Sequence, residues 1–191
     1  MNKNIKYLTE NLLDDFYDDN SLDIIDDLNK YIYKYFPKNK DELREIIKSH
    51  YKNNIYNLND IDVSQITDFS GLFAYDLNTE NKDFNISYWD VSNGEFFNYM
   101  FKNCYGFNCD LSKWDICKCF SLKGMFYNCS SFNCNLSKWN VSRCVNFVEM
   151  FWNCFKFNSD ISKWDTNRGR YFADMFHNCT IDETYKIKYF N

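Results

Sequence analysis

From Trp89 onward the large apolar positions return every 25 residues without an insertion: Trp89, Trp114, Trp139 and Trp164 form one column, and Cys104, Cys129, Cys154 and Cys179 another. Between them the pairs Met100-Phe101, Met125-Phe126, Met150-Phe151 and Met175-Phe176 keep the same period, so a structural repeat is the reading to test first. Inside a unit, Leu111-x-x-Trp114-x-Ile116-x-x-Cys119-x-x-Leu122 has leucine-rich spacing with Trp at the second apolar position. The other copies read Leu136, Trp139, Val141, Cys144, Phe147; Ile86, Trp89, Val91, Gly94, Phe97; and Ile161, Trp164, Thr166, Gly169, Phe172. A first copy lacks the Trp: Leu58, Ile61, Val63, Ile66, Phe69, followed by Leu72-Phe73. Phe73 and Phe101 stand 28 residues apart, which predicts an edge loop with three extra residues in the polar stretch Asp76 to Asp83.

Each unit changes its period halfway. Alternation at Trp114 and Ile116 predicts a short strand with both side chains inward, whereas Leu122, Met125, Phe126 and Cys129 fall at i, i+3, i+4 and i+7, one face of a short helix. Strand plus helix makes one coil, so the predicted fold is an α/β solenoid of leucine-rich-repeat-like coils spanning 58–179. Parallel strands about 4.8 Å apart would turn the Trp, Phe and Cys columns into interior ladders. No coil can bury its apolar face alone, so the copies should form one cooperative unit.

The flanks are predicted to cover the ends of this stack. Asn39 can cap a helix with Glu42 reaching back, and Leu43, Ile46, Ile47, His50 and Tyr51 follow at helical spacing, giving a capping helix and linker over 39–57. Pro37 separates it from an upstream helical pattern, Ile24, Ile25, Leu28, Ile32, Tyr35 and Phe36, with Ser21 as its cap. A first helix is predicted through Ile5, Leu8, Leu12, Leu13 and Phe16, so residues 1–38 read as a helical segment, acidic through Asp14, Asp15, Asp18, Asp19, Asp23, Asp26 and Asp27. At the other end, 180–191 reads as a cap or edge strand, with Tyr189 on the next Trp position and Tyr185 to Phe190 extended.

The units FNCDLSKWDICKCFSLKGMFYNCSS and FNCNLSKWNVSRCVNFVEMFWNCFK resemble the BspA-like leucine-rich repeats, the roughly 25-residue mycoplasma-type surface-protein units, also found in amoebal and large DNA virus proteins. KDELREIIKSHY followed by LNDIDVSQITDFSGLF is similar to the helix and first coil that open such arrays, and the resemblance runs from about Lys40 to Cys179. It implies an extracellular or host-interaction surface with no defined activity.

Composition narrows the partner. The 191-residue chain carries a net charge of -5, which argues against a phosphate backbone and hence against nucleic acid as the main partner. An aromatic content of 20% is incompatible with disorder of the whole chain. No apolar run reaches the roughly 18 residues of a membrane span, and acidic residues interrupt the N-terminus before a signal-peptide core could form. The expectation is a monomer without a membrane span, in the cytoplasm or a host cytoplasm.

Candidate chemistry is sparse. His50 and His177 are the only histidines, and neither belongs to a nucleophile, zinc-protease or P-loop signature, so no enzyme is expected and no catalytic residue is assigned. Nine Cys crowd the repeats, with Cys117-x-Cys119 a close pair, but the spacing is not that of a zinc knuckle or ribbon. The repeat sends them to different columns: Cys119 and Cys144 to the leucine-rich N/C position, Cys104, Cys129 and Cys154 to the end of the helical segment, Cys117 to the opposite strand face. Core thiols are therefore expected, ahead of disulfides and metal ligands, and no cofactor or metal is assigned. The N-x-(S/T) matches at Asn85, Asn128, Asn135, Asn140 and Asn178 are by-products of the repeat.

The exposed strand face is the candidate functional surface. One column reads Asp60, Tyr88, Lys113, Lys138, Lys163; its neighbour reads Asp62, Asp90, Asp115, Asn140, Asp165. Mutual charge compensation on a solvated face accounts for both columns; the functional alternative is that Tyr88, Asp90, Lys113, Asp115, Lys138, Asn140, Lys163 and Asp165 contact a protein partner. Two functions follow: a non-enzymatic protein-interaction module using that face, or an adaptor whose N-terminal helices dock to cellular machinery while the repeats select a client.

Overall fold

In the computed structural model, residues 33–74 and 84–188 are described. The sequence expectations for residues 1–32, the Asp76 to Asp83 loop and Tyr189 lie outside them. Helix α1 spans Lys40–Lys52. Asn39 Oδ1 accepts from Glu42 N at 2.9 Å while the Glu42 carboxylate accepts from Asn39 Nδ2 at 3.2 Å and Lys38 N at 2.9 Å, so one loose donor of the first turn is satisfied and the entering chain is tied back to the helix. The apolar face buries Leu43, Ile47, His50 and Tyr51. Lys40 Nζ reaches Asp68 Oδ2 at 2.7 Å and Arg44 Nη1 donates to Gly71 O at 3.3 Å, seating α1 on the first repeat. The ring nitrogens of buried His50 lie 2.9 Å from Ile46 O and 3.3 Å from Asp60 Oδ1. Upstream, Tyr35 forms a parallel bridge with Ile61, so the helical pattern expected through Tyr35 and Phe36 does not hold there.

The repeats stack on one another through their Met-Phe halves. Phe97, Tyr99, Phe101 and Asn103 donate their N–H groups to Ser121, Lys123, Met125 and Tyr127 of the next repeat at 2.8–3.0 Å. Leu122, Gly124, Phe126 and Asn128 do the same to Asn146, Val148, Met150 and Trp152, and Phe147, Glu149, Phe151 and Asn153 to Tyr171, Ala173, Met175 and His177. Like residues thus fall on like residues, as parallel pairing in register requires.

The local elements differ from those the periodicity predicts. Leu122 to Cys129 is not a helix but two successive turns, closed by Met125 N to Leu122 O at 3.1 Å and Cys129 N to Phe126 O at 2.9 Å. Their third residues have positive φ, 56° at Gly124 and 61° at Asn128, the type II signature, and this breaks any helical path. Two four-residue turns in series place apolar residues at positions 1, 4, 5 and 8, which is the same spacing a helix face would show. Nor is Lys113 to Cys117 a strand: among the described residues the isolated parallel bridges link Asp68, Phe96, Ser121, Asn146 and Tyr171 in turn, with Asn57 to Asn85 and Tyr35 to Ile61 at the N-terminal end. Side chains at Lys113, Trp114, Asp115 and Ile116 still alternate out and in, but turns produce the alternation, with Trp114 N on Leu111 O and Cys119 N on Ile116 O.

Stacking drives the core. Phe73, Phe101, Phe126, Phe151 and Phe176 form a ladder with centroids 5.5–5.9 Å apart. A second ladder, Phe107, Phe132 and Phe157, lies beside it at 4.0–4.3 Å. On the opposite side each indole N–H crosses to the preceding repeat: Trp89 to Leu58 O at 2.8 Å, Trp114 to Ile86 O at 3.3 Å, Trp139 to Leu111 O at 2.9 Å, Trp164 to Leu136 O at 3.0 Å. A buried Trp must place that donor, and here the placement ties neighbouring repeats. At the C-terminal end a 3-10 turn, Glu183–Tyr185, takes in Tyr185 of the expected edge strand, and Lys186 after it is extended. Ile181 and Ile187 are buried there, and Tyr185 O accepts from Ile161 N at 3.0 Å.

Candidate interaction surface

Lys113, Lys138 and Lys163 are exposed in register, with Tyr88 heading the column at 36% exposure. Asp60, predicted to continue it, instead faces His50 of α1. The neighbouring column does local structural work. Asp62, Asp90, Asp115, Asn140 and Asp165 each accept through Oδ1 from the N–H two residues on, at 2.9–3.1 Å, the Asx-turn geometry. A second such column flanks the lysines on the other side: Asn85, Asp110, Asn135 and Asp160 hold Ser87, Ser112, Ser137 and Ser162 at 2.9–3.0 Å.

The turns have an electrostatic consequence. The backbone N–H of Ser112, then its hydroxyl, hold the Asp110 carboxyl below the usual range, with Lys113 adding to the effect. Asp160 is lowered similarly by the Ser162 hydroxyl and N–H, with Lys163 a minor cause. Lys113 and Lys163 therefore stand between carboxylates already committed to the backbone, and Lys138 between two amides in the same role. One turn further along, Lys118, Arg143 and Arg168 make a second exposed basic column, and Lys118 Nζ donates to Asn93 Oδ1 at 2.6 Å.

A third surface lies on the type II turns, at positions the sequence reading did not align. The residue after each Met-Phe pair gives the column Lys102, Tyr127, Trp152, His177. Tyr127 and Trp152 stack at 5.7 Å, Trp152 and His177 at 3.8 Å, and Lys102 Nζ lies 5.2 Å from the Tyr127 ring centroid. Beside it runs an amide ladder: Asn128 Nδ2 donates to Asn103 Oδ1, Asn153 to Asn128 and Asn178 to Asn153, at 2.8–3.0 Å. Tyr99 bridges further, donating to Glu149 Oε2 at 3.0 Å across Gly124, where a Cβ would stand 2.1 Å from the Tyr99 ring. The Met-Phe-x-Asn-Cys motif carried the signal, since its x position recurs with the same period.

The thiols sit where the columns predict. Cys129 and Cys154 donate to Phe101 O and Phe126 O of the preceding repeat at 3.0 Å, and burial raises both thiols well above the ordinary value. Cys134 Sγ accepts Leu111 N at 3.1 Å and is pushed up to about 12, chiefly by burial. All nine are free thiols, and among the described residues no three His, Cys, Asp or Glu side chains gather as metal ligands. No described helix is long and apolar enough to cross a membrane.

A 25-residue unit repeated along the chain, with a helix at its start, defines the class: a repeat protein. The family model described as "Mycoplasma protein of unknown function, DUF285" matches residues 41–146 and 114–185, and the chain belongs to that family. No curated protein and no solved structure matches it.

Proposed function

We propose that the chain is a non-enzymatic protein-interaction module, built as a solenoid of BspA-like, leucine-rich-repeat type, that engages a protein partner through its exposed columns. The supporting observation is the register of the stack. Hydrogen bonds between equivalent residues repeat one exposed side chain at every step, which gives a long flat surface with a fixed charge spacing rather than a pocket. Asp90, Asp115, Asn140 and Asp165 are occupied in turns, so Tyr88, Lys113, Lys138 and Lys163 are the half of the candidate face assigned to the partner, reinforced by Lys118, Arg143 and Arg168. Two basic columns suit an acidic protein surface, in keeping with a role in host interaction.

The test is affinity capture from the native host with wild-type chain and with Lys113→Glu/Lys138→Glu/Lys163→Glu. Loss of the captured partner from the triple variant, with binding that weakens as salt shortens the screening length to about 10 Å at 0.1 M, supports the reading. Unchanged capture by the triple variant, with loss on deleting residues 1–38, overturns it in favour of an adaptor.

A further inference from the structure

Charge is divided unevenly along the chain. Residues 1–32 hold Glu10 and the seven Asp between Asp14 and Asp27 against Lys3, Lys6 and Lys30, so that of 27 acids and 22 bases 19 of each remain from residue 33 on. The whole net charge of -5 therefore lies in the first 32 residues. In the balanced part, basic charge is least compensated on one repeat. The Asx positions beside Lys113 and Lys163 are Asp110, Asp115, Asp160 and Asp165, whereas those beside Lys138 are Asn135 and Asn140. Lys138 and Arg143 are thus exposed cations with no carboxylate in their own turns, and Lys163 and Arg168 stand in register with them on the next repeat. Among the described residues none of these four forms an ion pair.

The described chain carries the acidic segment to this face. Lys34 N and Tyr35 N donate to Asp60 O at 2.7 and 3.3 Å, and Asp62 N donates to Tyr35 O at 2.9 Å. This bridge lays residues 34–35 one step before the first repeat, at the head of the column Asp60, Tyr88, Lys113, Lys138, Lys163. At about 4.8 Å per step, Lys138 is then roughly 19 Å and Lys163 roughly 24 Å along the stack. An extended chain covers about 3.3 Å per residue, so Asp23, ten residues before Tyr33, can span roughly 33 Å, and the acids before it more.

From this charge complementarity and reach we infer that residues 14–27 are an intrachain occupant of the Lys138 and Arg143 surface, an acidic competitor that a protein partner must displace. The inference rests on the proposed function only for the partner it regulates, because the intrachain contact is measured without one. Tethering favours the contact, since a segment joined by a short linker acts at a local concentration in the millimolar range. Salt opposes it, because screening shortens from about 10 Å at 0.1 M to about 3 Å at 1 M.

The test is zero-length carbodiimide cross-linking of the full chain, which joins carboxylate to amine, read by mass spectrometry of the monomer. Links from Asp14 to Asp27 onto Lys138 and Lys163 are expected, at a yield independent of protein concentration and severalfold lower in about 1 M salt. A full chain with all seven of these Asp replaced by Asn should bind a labelled peptide of residues 14–27, DDFYDDNSLDIIDD, at least about tenfold more tightly than wild type, whose surface is already occupied. Adding Lys138→Glu/Arg143→Glu to that chain should abolish peptide binding. Links that miss Lys138 and Lys163, or equal peptide affinity of the wild-type and Asn chains, would overturn the inference. Links confined to dimers would overturn it too, because a second copy would then be the occupant. If the links form as expected but the Asn chain captures no more partner from the host than wild type, the proposed function fails and the intrachain contact stands.

Discussion

The two halves of each repeat hold their neighbours by different means. On the Met-Phe side the main link is backbone to backbone, four N–H to carbonyl bonds per step, with the Asn ladder and the Cys129 and Cys154 thiols added to it. On the Leu-Trp side the interior repeats are tied by side chains: the indoles onto carbonyls, Leu111 N onto Cys134 Sγ, Leu136 N onto Ser159 Oγ, and Asn133 N onto Asn108 Oδ1. Conformation at a few positions therefore carries the first side, and particular residue types carry the second. Substitutions should separate them.

The largest effect is expected from alkali, because it acts on several buried thiols together. Cys119, Cys129 and Cys154 are raised well above 9.0 by burial and Cys134 to about 12, so the folded state holds protons that the unfolded chain releases. Stability is then fully present below about pH 9 and falls as pH rises toward the folded values. Urea midpoints from pH 7 to 11 check it, with Cys129→Ala/Cys154→Ala flattening the decline. An equally steep decline in that variant would remove the thiols as its cause.

Next come the ring ladders. Phe126 touches Phe101, Phe132, Trp139 and Phe151, so Phe126→Ala should cost about 3–5 kcal/mol, and Trp139→Ala a similar amount. A loss below about 1 kcal/mol for either, read from denaturant midpoints, would contradict its interior role.

Asn128→Ala removes both ladder bonds and leaves a β-carbon at positive φ, for a loss of about 2 kcal/mol; Asn128→Gly should lose less because glycine accepts that φ. If Gly cost more than Ala, the Met-Phe side would depend on side-chain bonding after all. Trp139→Phe is the complementary case, since it keeps a ring and removes the indole bond to Leu111 O, which still accepts from Trp114 N, for about 1 kcal/mol. No loss at all would reduce the indole links to packing.

The smallest effect belongs to Lys113→Glu/Lys138→Glu/Lys163→Glu. Exposed charges contribute little each, so thermal melting should register under about 1 kcal/mol even beside Asp115 and Asp165. A collapse of the fold would show that the lysine column is structural.

Much of the fold was legible because the signal was repeated. Asn39 and Glu42 marked the helix start, and the Trp, Phe and Cys columns marked the interior, with Trp114, Phe126 and Cys129 all buried. The local conformation was not legible. Leu122, Met125, Phe126 and Cys129 have helical spacing and form turns, and the clue lay in Gly124 and Asn128, which accept positive φ. Of the candidate surface, the exposure of Lys113, Lys138 and Lys163 followed from alternation, while the Asx bonds of Asp115 and Asp165 needed the position of the N–H two residues on. The Tyr127, Trp152 and His177 stack was missed because an aromatic in a variable position reads as ordinary surface until its neighbours in space are known.

By itself the sequence determined the period, the capping helix and which residues face inward, because a 25-residue recurrence of Trp, Phe and Cys has few ways to be buried other than on its own neighbours. Only the tertiary structure decided how one unit meets the next. Whether an N–H closes a helix or reaches the following repeat depends on competing acceptors far apart in the chain, and periodicity within a unit does not distinguish them.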